Sequence, residues 1–159
     1  MKAASIRDIK KELTTLTAQE LQDLCLRLGR FKKENKELLS YLLFESFDED
    51  AYVESIKGYM DESFETINTA SFFYIRKSVR KILKNVKKFI RYSQKKETEV
   101  DLLLYFCEKL RDFKPSIQRS SQLRNSYNRQ LLLAKKVLKG LHEDLQFEFE
   151  EKLEYLKPL

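Results

Sequence analysis

Between Tyr74 and Lys96 the chain carries ten cations (Arg76, Lys77, Arg80, Lys81, Lys84, Lys87, Lys88, Arg91, Lys95 and Lys96) and no acid. Cations at this density attract anions, above all a polyanion whose condensed counterions they displace. All of the excess charge sits here. Residues 1–70 hold ten Lys or Arg against fourteen Asp or Glu, residues 97–159 hold eleven of each, and the whole chain has a net charge of +6. A helix would place Ile75, Val79, Ile82, Leu83, Val86, Phe89 and Ile90 within an arc of about 120°. Arg76, Lys77, Arg80, Lys81, Lys84, Lys87, Lys88 and Arg91 then fill the opposite arc and form the candidate anion- or partner-binding face.

Two functions of different class fit this face. Charged faces are usually solvated, and the preceding segment offers Glu54, Asp61, Glu62 and Glu65 as neighbours for exposed ion pairs worth about 0 to 1 kcal/mol each. The face then needs no ligand, and a non-enzymatic protein-interaction or scaffold domain is expected, whose protein partner is suggested by the basic and acidic halves of the last helical run (Arg129, Lys135, Lys136 and Lys139; Glu143, Asp144, Glu148, Glu150, Glu151 and Glu154). The alternative is charge-driven nucleic-acid binding. A second basic run supports it, with Arg111, Lys114, Arg119, Arg124, Arg129, Lys135, Lys136 and Lys139 against Asp112 alone, and Tyr92 and Tyr127 are candidates for base stacking. No helix-turn-helix, zinc-finger or single-strand-binding signature accompanies the charge, so any recognition would be of shape and charge.

Catalytic chemistry has little to work with. The single histidine, His142, falls beside Glu143 and Asp144 on the outer side of a helical pattern, where a solvated imidazole is the expected state. Asp48, Glu49 and Asp50 stand at a helix start, where carboxylates favour the dipole, and lack the glycine turn of a calcium loop. There is no phosphate-cradling glycine loop and no nucleophile motif. A di-iron bundle needs a Glu-x-x-His pair on each of two helices, which one histidine cannot supply. No catalytic residue, cofactor or metal ligand is therefore expected. Cys25 and Cys107 fall on apolar helical positions and are expected as reduced, packed thiols.

The elements that must position these residues are helices. Three glycines and two prolines among 159 residues, with no apolar/polar alternation between turn clusters, point to an all-α single domain over residues 1–159. Its length suffices for a core without staples. No window approaches the roughly 18 apolar residues of a membrane span and no signal-peptide core opens the chain, so the sequence reads as cytoplasmic with no membrane partner.

Ile6, Ile9 and Leu13 suggest a short first helix. Thr17 with Glu20 makes a capping box, and Leu21, Leu24, Cys25 and Leu28 form one buried stripe ended by Gly29. A third helix is expected over residues 34–45, a fourth from Ser46 or Asp48 to about Asn68, then the basic helix from Thr69 or Ser71 to about Ser93. Thr98 with Asp101 resembles another cap before Val100, Leu103, Leu104, Cys107 and Leu110. Residues 116–128 are polar and read as a loop or mobile segment.

Beyond them Tyr127, Leu131, Ala134, Leu138, Leu141, Leu145, Phe149, Leu153 and Leu156 recur every three or four residues. The pattern predicts a long C-terminal helix, or two collinear ones, despite Gly140. Leu132, Leu133 and Phe147 lie off this stripe and are candidates for self-association. In an antiparallel homodimer, Lys135, Lys136 and Lys139 would face Glu148, Glu150 and Glu151 of the twin.

Six to seven amphipathic helices in antiparallel hairpins result, as a compact bundle or a short HEAT-like array. The run Leu13 to Glu45 (LTTLTAQELQDLCLRLGRFKKENKELLSYLLFE) resembles one hairpin of HEAT or armadillo arrays. Together with the basic helix and the segment Lys96 to Leu110 (KETEVDLLLYFCEKL), it also resembles small all-helical bacterial proteins. That likeness implies a fold class and no activity.

Overall fold

Nine α-helices and no strand make up the computed structural model, which describes every residue from Met1 to Leu159. Where the length suggests one domain, the chain divides into two compact units, Met1–Phe44 and Glu45–Leu159.

The first unit contains α1 (Ile6–Leu13), α2 (Ala18–Phe31) and α3 (Lys33–Ser40), and a π-helical turn, Tyr41–Glu45, closes it and enters the second unit. Ser5 caps α1 by accepting from the Asp8 N–H at 3.2 Å. The Thr17 box is complete: its hydroxyl accepts from the Glu20 N–H at 3.2 Å and the Glu20 carboxylate accepts from the Thr17 N–H at 2.7 Å. That backbone donor, with the Thr17 hydroxyl, holds the Glu20 carboxyl below its ordinary pKa.

Gly29 does not end α2, which runs on to Phe31. It instead leaves room for a side chain of α3, since a Cβ there would lie 2.9 Å from Leu39 Cδ1. Asn35 Nδ2 fastens the turn by donating to the Leu28 carbonyl at 2.8 Å. The expected buried stripe of α2 is not found: none of its residues is buried, and Leu24, Leu28 and Cys25 are exposed. Cys25 is thus a surface thiol. Two short neighbouring helices give α2 too little surface to pack against.

The second unit holds α4 (Glu49–Glu65), α5 (Phe72–Ser93), α6 (Lys96–Asp112), α7 (Ser121–Leu138), α8 (Glu143–Glu148) and α9 (Glu150–Tyr155). Its centre is α6, which packs against α4, α5 and α7. Val100, Leu102, Leu103, Leu104, Phe106, Cys107 and Leu110 are all fully buried. A helix apolar on several sides belongs inside, and each such side chain contributes about 1.5 to 3 kcal/mol. Burial pushes the Cys107 thiol up to about 12, so this cysteine is the packed thiol the pattern implies.

Three local expectations need correction. Thr98 does not cap α6, which begins two residues earlier at Lys96; its hydroxyl instead donates to Glu49 at 2.6 Å, beside the Ser93 hydroxyl that donates to the same carboxylate. The polar stretch 116–128 is largely helical, with a 3-10 turn at Ile117–Arg119 and α7 starting at Ser121, because Leu123 and Tyr127 anchor it by burial four residues apart. The long C-terminal helix breaks into α7, α8 and α9. Around Gly140 the chain turns, and His142 restarts the helix as its N-cap, with Nδ1 accepting from the Asp144 N–H at 3.2 Å and Gln146 Nε2 donating to the Leu141 carbonyl at 2.8 Å. These two breaks raise the helix count above the six to seven expected.

Candidate functional site

The basic helix forms as the sequence requires. α5 runs for 22 residues and buries Ile75, Val79, Ile82, Val86 and Ile90. Ser71 supplies an extended N-cap residue, and Gln94 ends the helix in the left-handed region at φ 58°. Its inner face is tied to α4 by polar contacts. Tyr52 Oη donates to the Phe89 carbonyl at 3.0 Å, Asn85 Nδ2 donates to Tyr59 Oη at 2.7 Å, and the Tyr59 and Phe89 rings meet edge to face at 5.7 Å. The opposite arc is thereby turned outward as a fixed surface.

The acids of α4 do not neutralise that surface. Glu54 pairs within its own helix with Lys57 at 2.9 Å, and Lys57 also meets Asp101 of α6 at 2.9 Å. Asp61 pairs with Lys109 of α6 at 2.8 Å and accepts from Tyr105 Oη at 2.8 Å. Glu49 holds Lys95 at 3.1 Å, just past the end of α5. Burial works against the ammonium of Lys57, yet the Asp101 and Glu54 partners outweigh it and raise its pKa. Arg76, Lys77, Arg80, Lys81, Lys84, Lys87 and Arg91 have no carboxylate within ion-pair distance, and neither Glu62 nor Glu65 has a cation there. Lys88 lies 5.2 Å over the Phe89 ring.

A groove of about 400 Å³ opens beside this face, between α5 and α7. Arg76, Arg80 and Lys87 come from α5 and Arg129 from α7, and no carboxylate lines it. Gln122 and Asn125 add amide donors at the rim, over an apolar floor of Val79, Leu83 and Leu123. The Arg129 guanidinium is held along its helix by donating from Nε to the Asn125 carbonyl at 3.2 Å. Arg129 belongs to the second basic run of the sequence, but its place in one groove with Arg80 depends on how α7 packs, which no local pattern reveals.

Other candidates are not brought to this site. Tyr127 is fully buried and cannot stack on a base; its hydroxyl donates to the Lys157 carbonyl at 3.1 Å. Tyr92 packs against Phe89 at 6.2 Å between ring centres. Arg111 and Arg119 lie over the Tyr155 and Phe72 rings, at 4.7 and 5.9 Å. Leu132 and Phe147 are exposed as expected, whereas Leu133 is half-buried. The break at Gly140 places Leu132 and Phe147 on separate helices, so the continuous antiparallel seam does not exist. His142 caps α8 in solvent, with Nδ1 3.4 Å from Asp144 Oδ2.

No group of three or more His, Cys, Asp or Glu has metal-site geometry, and no helix is long and apolar enough to cross a membrane. Compared with protein-family models, with curated proteins and with solved structures, the chain matches none.

Proposed function

We propose that this is a non-enzymatic binding protein whose second unit engages a polyanion, with nucleic acid as the partner. The observation that supports this reading is that Arg76, Lys77, Arg80, Lys81, Lys84, Lys87 and Arg91 lack carboxylate partners while Glu54 and Asp61 of α4 are occupied elsewhere. Four pairs of these cations stand four residues apart on α5 (Arg76 with Arg80, Lys77 with Lys81, Arg80 with Lys84, Lys87 with Arg91). Each such pair destabilises a helix by roughly 0.2 to 0.5 kcal/mol. A helix that keeps this repulsion with no acid to relieve it is better explained by an anionic ligand than by folding.

Titration of labelled single- and double-stranded DNA and RNA into the full chain, at low and near-physiological ionic strength, tests the reading. Micromolar or tighter binding with a steep salt slope is expected, because each neutralised phosphate releases counterions. Absence of binding at low salt would sink it.

A protein partner is the second reading, and a different observation favours it. Leu24, Leu28 and Phe31 lie on one side of α2 at 37%, 51% and 76% exposure, and contiguous exposed apolar side chains mark interaction sites. Sedimentation equilibrium tests this for a second copy of the chain: assembly abolished by Leu28→Ser with Phe31→Ser supports it, and a monomer at high micromolar concentration removes self-association.

A further inference from the structure

We propose that the groove between α5 and α7 is the track of one nucleic-acid strand, whose backbone phosphates lie between Arg80 and Arg129 while its bases face solvent. The proposal rests on the polyanion reading above and goes beyond it by assigning the strand number, the second wall of the site and the mode of recognition.

Cations of two helices line one concavity, with no acid in its lining. Arg76, Arg80 and Lys87 are spread over roughly 16 Å of α5 at 1.5 Å per residue, so several successive phosphates of one strand find a cation. A duplex carries its phosphates on a convex surface and meets a ridge or offers a groove to a protruding element. It can touch the outer cations Lys77 and Lys81, but it cannot descend between two helices. A positively charged groove that follows a single backbone is the arrangement non-specific single-strand binders use.

The lining also dictates what is not read. No aromatic ring faces the groove, so there is no platform on which bases stack. The amides of Gln122 and Asn125 suit phosphate oxygens as hydrogen-bond acceptors. Gln130, also in the lining, is 6% exposed; its Nε2 donates to the Ser126 carbonyl at 3.3 Å and its Oε1 has no partner. Buried polar atoms are nearly always satisfied, and an unsatisfied one here marks the groove as a place where the protein's own packing is incomplete.

The test is fluorescence anisotropy on the full chain with short oligouridine, oligothymidine and a duplex of equal length, at one low ionic strength. Single strands should bind at least tenfold tighter than the duplex, with little difference between bases. Arg80→Gln with Arg129→Gln should weaken single-strand binding tenfold or more, whereas Lys77→Gln with Lys81→Gln removes the same charge and should weaken it only about twofold. Arg129→Lys, which keeps the charge, should restore most of the loss when paired with native Arg80. Circular dichroism confirms that each variant is folded. Equal or tighter duplex binding, or equal losses in the two double variants, overturns the groove while leaving the polyanion reading intact. Displacement of the strand by inorganic tripolyphosphate at matched phosphate concentration would likewise overturn it, in favour of a free polyphosphate ligand. Failure of every nucleic acid to bind would remove both.

Discussion

The second unit contains two troughs of nearly equal size and opposite logic. One, of about 420 Å³, lies among α4, α6 and the C-terminal helices and gathers Glu49, Glu54 and Asp101 with Lys57, Lys95 and Lys152. There every cation is taken by an acid: Lys57 serves Glu54 and Asp101, Lys152 meets Asp101 at 3.3 Å, and Lys95 meets Glu49, while Asp50, Glu97 and Glu148 leave the lining with an excess of acid. The other, between α5 and α7, holds cations alone. A charge that already has a partner inside the protein contributes to folding and has little attraction left for a ligand. A charge without one costs the fold a little and keeps its field for whatever approaches. The distinction between structural and available charge lies in the pairing, since both troughs are rich in charged residues.

Crossing the two troughs gives the largest expected effects. Arg80→Glu, Lys87→Glu and Arg129→Glu together should reduce nucleic-acid affinity more than a hundredfold and flatten its salt dependence, since three cations lining the α5/α7 trough are reversed. The same change should leave the melting temperature unchanged or raise it, because glutamates at positions 80 and 87 would stand four residues from Arg76, Lys84 and Arg91 and relieve like-charge repulsion. Lys57→Ala should do the opposite. Its side chain is half-buried and its ammonium serves two carboxylates, so its loss should cost roughly 1 to 2 kcal/mol, between the values for exposed and buried pairs. Binding should be intact. Urea denaturation and anisotropy on both variants measure the two axes; a Lys57→Ala protein that loses affinity while remaining folded would break the separation.

How much of this was legible in the sequence depended on whether the information was local. The start of α2 at Thr17 was readable because the capping box places both partners within three residues. The buried face of α5 was readable because a stripe of Ile and Val declares its own inward side. The C-terminal breaks were not. Leu131, Ala134, Leu138, Phe149 and Leu156 are buried although the chain between them is interrupted, so the apolar period continues through breaks that it cannot report. The fate of Thr98 was equally hidden, since the group that claims its hydroxyl, Glu49, is 49 residues away. For the site, the outward cations could be named from spacing alone. That Asp61 of α4 would pair with Lys109 of α6, and that Arg129 would line one groove with Arg80, follow only from the packing of helices distant in sequence.

The smallest expected effect probes a paired charge at the edge of the paired region, where Asp61 accepts from Lys109 and Tyr105. Burial alone would raise its pKa, but the hydrogen bonds from Lys109 and Tyr105 outweigh burial and hold it below the ordinary carboxylate value. A carboxyl whose folded pKa is depressed contributes stability that is present above its unfolded pKa of about 3.9 and is lost as pH falls through the folded value. Asp61→Asn should therefore cost roughly 0.5 kcal/mol near neutrality, the scale of a partly exposed pair, and progressively less as the pH falls toward 3 and below. Tyr105 supplies an independent readout. Burial first, and then the Asp61 carboxylate, push its hydroxyl up to about 12, so the neutral phenol adds stability that is complete below its unfolded pKa of about 10 and fades as pH rises toward 12. In Asp61→Asn the tyrosinate absorbance of Tyr105 should appear at lower pH than in the native chain. Urea denaturation at pH 3 and pH 7 and an ultraviolet titration measure the two effects, and a destabilisation of equal size at both pH values would show that Asp61 acts through packing and not through its charge.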